Sequence, residues 1–392
     1  MLLLDLTHTA HTRARTGIQR VARTLWSRLG EEAQPVCLDK YLGSWRKLDP
    51  WELESLAEDQ PGTRRGTRWP LRARLGGYLG RLGGRGRGLN TTAGGLIVPE
   101  IPSRSVSRAH PALFAAVQGP RTAIFYDALP LTHPEFTPQG TVALFPGYLQ
   151  DLLAFDGIAA ISRDSRDALL GYWEWLGVRD HPPVEAITLG LAAPPAPRPD
   201  PGEPATRPAV ATVLSVGTIE GRKNHVALLE ACERLWRRGH GFGLRLIGMA
   251  QLETGGPALA RIDELKRAGR PLRYDGPVGD AELEEAYSEC AFTVYPSLAE
   301  GFGLPVLESV ARGRACVCLG RGALGEVALE GGCLAVPSVD AASLEGAIAC
   351  LLGDPGRLAG LEAEARARVL KSWDDYVREL TGWMGSLKRR KG

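Results

Sequence analysis

No stretch of this chain approaches the roughly 20 consecutive apolar residues that a helix needs to span a bilayer. The apolar run in the opening MLLLDLTHTAHTR is short and has no basic region before it, so a secretion signal is not expected. Both absences point to a cytoplasmic protein whose membrane contact, where it occurs, is peripheral. C-x-x-C spacing is missing too. The seven cysteines (Cys37, Cys232, Cys290, Cys316, Cys318, Cys333 and Cys350) form an odd set, mostly inside apolar runs such as RACVCLG. That pattern fits buried reduced thiols in a cytosolic protein. Neither sign of charge predominates, and a formal net charge of +2 argues against nucleic acid as a whole-chain partner. No G-x-G-x-x-G turn follows the first apolar run, where THTAHTRARTGIQR carries one glycine, which disfavours a dinucleotide-dependent oxidoreductase.

What the chain does have is length and a regular apolar rhythm. At 392 residues it exceeds the size at which a single hydrophobic core stops growing, so two domains with a cleft between them are expected. Short apolar runs alternate with helical patterns, the signature of βα units around a mainly parallel sheet. Expected strands are Leu2–Leu6, Gly95–Val98, Thr122–Tyr126, Gly157–Ile161 and Val184–Thr188 in the first half. In the second half they are Val210–Val216, Leu244–Ile247, Leu272–Tyr274, Phe292–Tyr295, Cys316–Leu319 and Cys333–Val336. Both halves read as Rossmann-like.

Residues 192–208, AAPPAPRPDPGEPATRP, hold too many prolines for a helix or central strand, because each removes a backbone donor and fixes φ. The expected division is an N-terminal domain over 1–192, a linker over 193–208, a C-terminal domain over 209–371, and a terminal helix with basic tail over 372–392. That helix is expected to return to the first domain. A basic insertion at about 60–95 interrupts the first half. From Gln60 to Pro99 there is no acidic residue, while Arg64, Arg65, Arg68, Arg72, Arg74, Arg81, Arg85 and Arg87 accumulate beside Trp69, Tyr78 and several leucines. Such a segment suits an anionic membrane surface; a solvated Gly- and Arg-rich insertion is the alternative.

The strongest signal is YPSLAEGFGLPVLE, residues 295–308: a strand end, a Gly-rich turn and a helix start. A helix N-terminus offers unpaired N–H groups and positive dipole character, so Gly303, Leu304 and Pro305 stand where a diphosphate can be met. Glu300 lies in the loop and Glu308 a turn inside the helix, so the two carboxylates can accept from different hydroxyl groups of one extended ligand. Taken alone, the pair could equally be a capping acid and a solvated helix residue.

From about residue 210 to 376 the chain resembles glycosyltransferase family 4, through SVGTIEGRKNHVALLEA, YDGPVGDAELEEAYSECAFTVYPSLAEGFGLPVLE, GALGEVALEGG and LLGDPGRLAGL with Trp373. The first half agrees more weakly through TGIQRVARTL, FYDALPL and ISRDSRDAL. The resemblance implies a GT-B fold, α/β with two Rossmann-like domains facing each other across a cleft, and a retaining hexosyltransferase. The donor is a nucleoside-diphosphate sugar as co-substrate, with no cofactor and no metal. The acceptor is a glycan or lipid-linked glycan of surface polysaccharide assembly, and a GDP-mannose-like donor is the specific expectation. At matched positions Glu308 would bind the ribose, Glu300 the transferred sugar, Lys223 the phosphates, and the backbone of Phe302, Gly303 and Leu304 the sugar and diphosphate, with Gly217, Thr218, Asn224, Val278 and Asp280 bordering the donor.

Two positions depart from the family. Thr218 follows Gly217 where many members have arginine, which makes Arg222 the substitute cation; Tyr126-Asp127 stands where many have His-Asp, leaving Asp127 in place. Gly17 opens a helix after the first strand and offers backbone donors, with Arg13, Arg15 and Arg20 nearby. His8 and His11 have loop spacing and no evident acidic partner, so no metal site is expected there. A sugar-nucleotide-binding protein with decayed catalysis, or a GT-B-like sugar-nucleotide epimerase, are the other readings.

Overall fold

The computed structural model describes residues 1–12, 17–57, 67–83, 89, 92–192 and 210–390. The expected linker over 193–208 and Arg13, Arg15, Arg64, Arg65, Arg85 and Arg87 lie outside the described residues. The chain divides into two compact units. Unit 1 comprises Met1–Ala128, Gln139–Leu189 and Trp373–Gly392; unit 2 comprises Leu129–Pro138 and Gly190–Ser372.

Unit 1 is built on seven strands: β1 (Leu2–Asp5), β2 (Ala33–Asp39), β3 (Ser44–Lys47), β4 (Leu96–Val98), β5 (Arg121–Phe125), β6 (Gly157–Ala160) and β7 (Val184–Ala186). Their order is β3-β2-β1-β4-β5-β6-β7, parallel throughout except for the β2–β3 pair. The central strands are apolar along their length and buried (LIV and GIAA, for example), as expected of a parallel sheet covered on both faces. Sequence periodicity missed β2 and β3, and also the helices Pro50–Ala57, Leu71–Leu82 and Arg104–Phe114.

The helix Trp373–Ser386 belongs to unit 1. Trp373, Tyr376, Leu380 and Met384 recur at helical spacing and are buried, each burial being worth roughly 1.5–3 kcal/mol. Met384 fills the space a side chain on Gly95 would need, and a Cβ on Gly157 would stand 2.8 Å from the Trp383 ring. Those two glycines therefore let the helix seat closely. Beyond it, the backbone N–H of Arg390 donates to Asp156 at 2.7 Å, and Asp156 is held by a two-point pair with Arg121.

Unit 2 has six strands: β8 (Ala211–Val216), β9 (Phe242–Ile247), β10 (Leu272–Tyr274), β11 (Phe292–Tyr295), β12 (Cys316–Leu319) and β13 (Cys333–Val336). All are parallel, in the order β10-β9-β8-β11-β12-β13. Each coincides within a few residues with a strand expected from the apolar runs. Leu129–Pro138, which the sequence places in the first domain, groups with unit 2, where the Phe136 ring packs over Gly221.

Candidate functional site

The strand order of unit 2 reverses direction between β8 and β11, so the loops leaving their C-terminal ends diverge and open a crevice. The loop after β8 carries Gly217, Thr218, Arg222, Lys223 and Asn224; the loop after β11 carries Ser297, Glu300, Phe302 and Gly303. The two loops are tied together, Leu298 N–H donating to the Arg222 carbonyl and Arg222 Nη1 to the Ala299 carbonyl.

Glu300 is the hub of this crevice. Its Oε1 accepts from Lys223 Nζ at 2.5 Å, the Tyr295 hydroxyl at 2.8 Å and the Ser297 hydroxyl at 2.5 Å, and Arg222 Nη1 stands 2.5 Å away. The Lys223 ammonium also donates to the Tyr295 hydroxyl and lies 4.6 Å from the centre of that ring. No partner meets Oε2 among the described residues. One oxygen is thus fully engaged by protein while the other keeps its accepting capacity.

Burial alone would disfavour a charged Glu300, but the Lys223 and Arg222 charges outweigh it and hold the carboxyl at about 2. Burial draws the Lys223 ammonium below its ordinary value, against the pull of Glu300. For Arg222 the balance falls the other way, Glu300 and Glu220 raising it despite burial. Arg222 Nη2 donates to Glu220 Oε1 at 2.7 Å, so two cations face two carboxylates. Lys223 and Arg222 are accordingly clamps of the crevice as well as sources of positive charge.

Beside the hub the helix Leu304–Ala311 begins. Gly303, at φ 110°, turns the chain into it, and Pro305 occupies the first turn. The N–H groups of Phe302, Gly303 and Leu304 have no acceptor among the described residues, which leaves a helix N-terminus facing the crevice. Phe302 is buried, and Glu308 lies one turn on, half-buried.

Asn224 takes a left-handed conformation at φ 53° and donates its side-chain N–H to the Val339 carbonyl, which sets the turn between Lys223 and the next helix. Val278 packs on the cluster Leu214, Ile247, Ala286, Tyr287 and Cys290, whereas Asp280 is exposed at the start of the helix Asp280–Glu289. Gly217 follows β8, and its carbonyl lies so close to Gly248 that a Cβ at Gly248 would stand 2.0 Å from it. Thr218, next to it, is half-buried.

Gly17 and Asp127 lie in unit 1, Gly17 opening the helix Gly17–Leu29 and Asp127 just past β5. Tyr126 does not stand in for an exposed histidine: its buried hydroxyl donates to the Pro99 carbonyl at 2.6 Å. At the β1–β4 reversal, Glu100 accepts from the N–H groups of His8 and Thr9, while burial and then Asp5 push its carboxyl up to about 7. His11 does have an acidic partner, which the sequence did not reveal. Its Nε2 meets Glu52 Oε1 at 2.7 Å and its Nδ1 the Thr7 carbonyl at 2.6 Å. Cys37 lies near the same carboxylate. Arg46 bonds both Glu52 oxygens, at 2.7 and 2.8 Å, and a guanidinium so placed competes with any cation for that donor set. His11, Cys37 and Glu52 therefore read as a structural ion network.

The sequence missed Tyr295 and Ser297, which complete the hub; both belong to the YPS run just before the motif that holds Glu300.

Comparison with known proteins agrees with this architecture. Residues 210–354 match the family model described as Glycosyl transferases group 1. The serotype-specific mannosyltransferase WbdA of Escherichia coli is 26% identical over 328 residues, covering 79% of this chain and 37% of the relative. O-antigen chain mannosyltransferase B of Escherichia coli is 37% identical over 132 residues, 33% of this chain and 34% of that one. The chain thus spans little more than a third of the length of these relatives. Among solved structures, Anabaena Alr3699/HepE in complex with UDP and glucose superposes with a TM-score of 0.68 at 13% identity, covering 98% of this chain and 99% of that one. Sucrose-phosphate synthase (tll1590) from Thermosynechococcus elongatus gives 0.66 at 17% identity, covering 97% of each chain. The fold is GT-B, and the stretch similar to the glycosyltransferase group 1 model lies within unit 2.

Proposed function

We propose that the chain is a retaining hexosyltransferase of the family 4 type. It moves a hexosyl group from a nucleoside-diphosphate sugar to a glycan or lipid-linked glycan acceptor in polysaccharide or glycolipid biosynthesis, at the cytoplasmic face of a membrane. The observation that carries this reading is the crevice between the β8 and β11 loops. There a half-buried carboxylate with one engaged and one open oxygen adjoins two cations and the free N–H groups of a helix start.

Breaking the bond between sugar and diphosphate builds negative charge on the leaving phosphate, and preorganised cations and N–H groups stabilise such charge more in the transition state than in the ground state. Lys223, Arg222 and the Phe302–Leu304 backbone take that role. The open Oε2 of Glu300 accepts from a hydroxyl of the transferred sugar, and Glu308 accepts from the ribose. Asn224 sets the turn that aims Lys223, while Gly217, Thr218, Val278 and Asp280 border the nucleotide; within unit 1, Gly17 and Asp127 are assigned by the family resemblance. Because protein groups supply the positive charge, the reading includes no metal and no cofactor. The mannosyltransferase relatives favour a GDP-linked, mannose-like donor; the UDP named with Alr3699/HepE marks the competing base.

Thermal shift with GDP, UDP, ADP and dTDP tests the donor. GDP is expected to raise Tm most, a ligand at 100 times its Kd adding roughly 2.7 kcal/mol, and a larger shift with UDP would replace the base assignment. Lys223→Ala is expected to cut kcat by about 100-fold or more, with turnover of the unmodified protein unchanged by EDTA and the product anomer matching the donor's. Loss of no more than a few-fold would remove Lys223 from the mechanism.

A further inference from the structure

The helix Leu71–Leu82 lies within the basic insertion, and its side chains are distributed unevenly around its axis. Leu71, Leu75, Tyr78, Leu79 and Leu82 are 71%, 62%, 51%, 68% and 84% exposed. At about 100° per residue these five fall within an arc of about 100° on one face. A surface helix ordinarily turns such a stripe toward the core; here its four leucines face away, while Tyr78 at one edge also packs edge-on against Tyr41.

The opposite face explains why the stripe is outward. It is made of small residues, Ala73, Gly76, Gly77 and Gly80. Gly77 is buried so closely that a Cβ there would stand 2.8 Å from Tyr41 Cβ and 3.1 Å from the Leu42 backbone nitrogen. The helix is seated on unit 1 at Gly77, and turning the leucines inward would open that contact.

Three exposed cations border the stripe, Arg72 on one edge and Arg74 and Arg81 on the other. None of the three pairs with an acid among the described residues, and no Asp or Glu occurs between Gln60 and Pro99 to neutralise them. The helix is about 18 Å long, and no helix among the described residues is long and apolar enough to cross a membrane.

We propose that this helix docks unit 1 on an anionic lipid bilayer. The leucines and Tyr78 enter the boundary between headgroups and acyl chains, while Arg72, Arg74 and Arg81 meet lipid phosphates. Charge selects the occupant. A planar anionic surface satisfies cations on both edges of the stripe at once, whereas a second copy of the same helix would set arginine against arginine. The proposal deepens the membrane-face part of the functional reading and does not depend on the donor chemistry. Vesicle binding and nucleotide binding are measured separately, so either can fail alone.

Co-sedimentation of the full chain with phosphatidylcholine vesicles, with and without phosphatidylglycerol, is the test. The chain is expected to bind the anionic vesicles, less so as salt rises, and the neutral ones weakly. Leu75→Glu with Leu79→Glu, both at exposed positions, is expected to reduce the bound fraction by about ten-fold while leaving Tm and the nucleotide-induced shift in place. Arg72→Ser with Arg81→Ser is expected to abolish the preference for anionic over neutral lipid. Undiminished vesicle binding by the double glutamate variant would overturn the proposal. So would a chain that ignores vesicles but forms dimers which that variant dissociates, for the stripe would then be a contact between copies.

Discussion

Glu300 holds two loops together through a single oxygen. Its carboxyl drops from an ordinary 4.5 to about 2 in the folded protein because Lys223 and Arg222 outweigh the cost of burial. A lowered acid contributes stability that is present above pH 4.5 and is lost as pH falls through 2, here up to about 3 kcal/mol. Urea unfolding at a series of pH values is expected to show a steeper acid limb for the unmodified chain than for Glu300→Gln. Equal slopes would mean that the hub is not ionised. Lys223, Arg222 and Glu300 were legible in the sequence because RKN and EGFG mark loops at strand ends, where α/β sheets place ligands. Tyr295 and Ser297 were not legible as partners, since what matters is where strand and turn aim the hydroxyls. Tyr126 is similar. Its position matches a family histidine, yet its hydroxyl is spent on the Pro99 carbonyl inside unit 1.

At the scale of elements, the start of the helix Leu304–Ala311 depends on one residue. Gly303 has φ 110°, a conformation costing other residues about 1–3 kcal/mol, and a Cβ there would press to 2.8 Å on the Leu324 side chain. Gly303→Ala is expected to lower Tm by several degrees and to weaken nucleotide binding further, because the free N–H groups would be re-aimed. Calorimetry and thermal shift would show both effects, and an unchanged nucleotide affinity would separate the helix start from the donor. Most strands were readable because buried parallel strands are continuous apolar runs. Three of the elements that escaped carry residues that argue against themselves. Pro35 sits inside β2, Pro111 inside the helix Arg104–Phe114, and Gly76, Gly77 and Gly80 inside the helix Leu71–Leu82. In each case tertiary contacts override local preference, most plainly where Gly77 is needed for close seating.

Over the whole molecule, unit 1 is assembled from three separate stretches of chain and unit 2 from two. The last stretch of unit 1 supplies Trp373, Tyr376, Leu380 and Met384, which cover the sheet beside Gly95 and Gly157. Deleting residues 373–390 is expected to strip hydrogen-exchange protection from β4, β5 and β6 while leaving β8 to β13 protected. Retained protection in β4 and β6 would show the helix to be dispensable. The same layout bears on the order of events during synthesis. Every residue of unit 2 has been made by Ser372, so that unit can close first, although its main stretch is translated later. Unit 1, whose strands are made before those of unit 2, must wait for the helix Trp373–Ser386 with part of its apolar sheet uncovered. Within these residues, the unit whose strands are made earlier is therefore completed after the other, and in that interval its uncovered sheet is exposed to aggregation and to proteases.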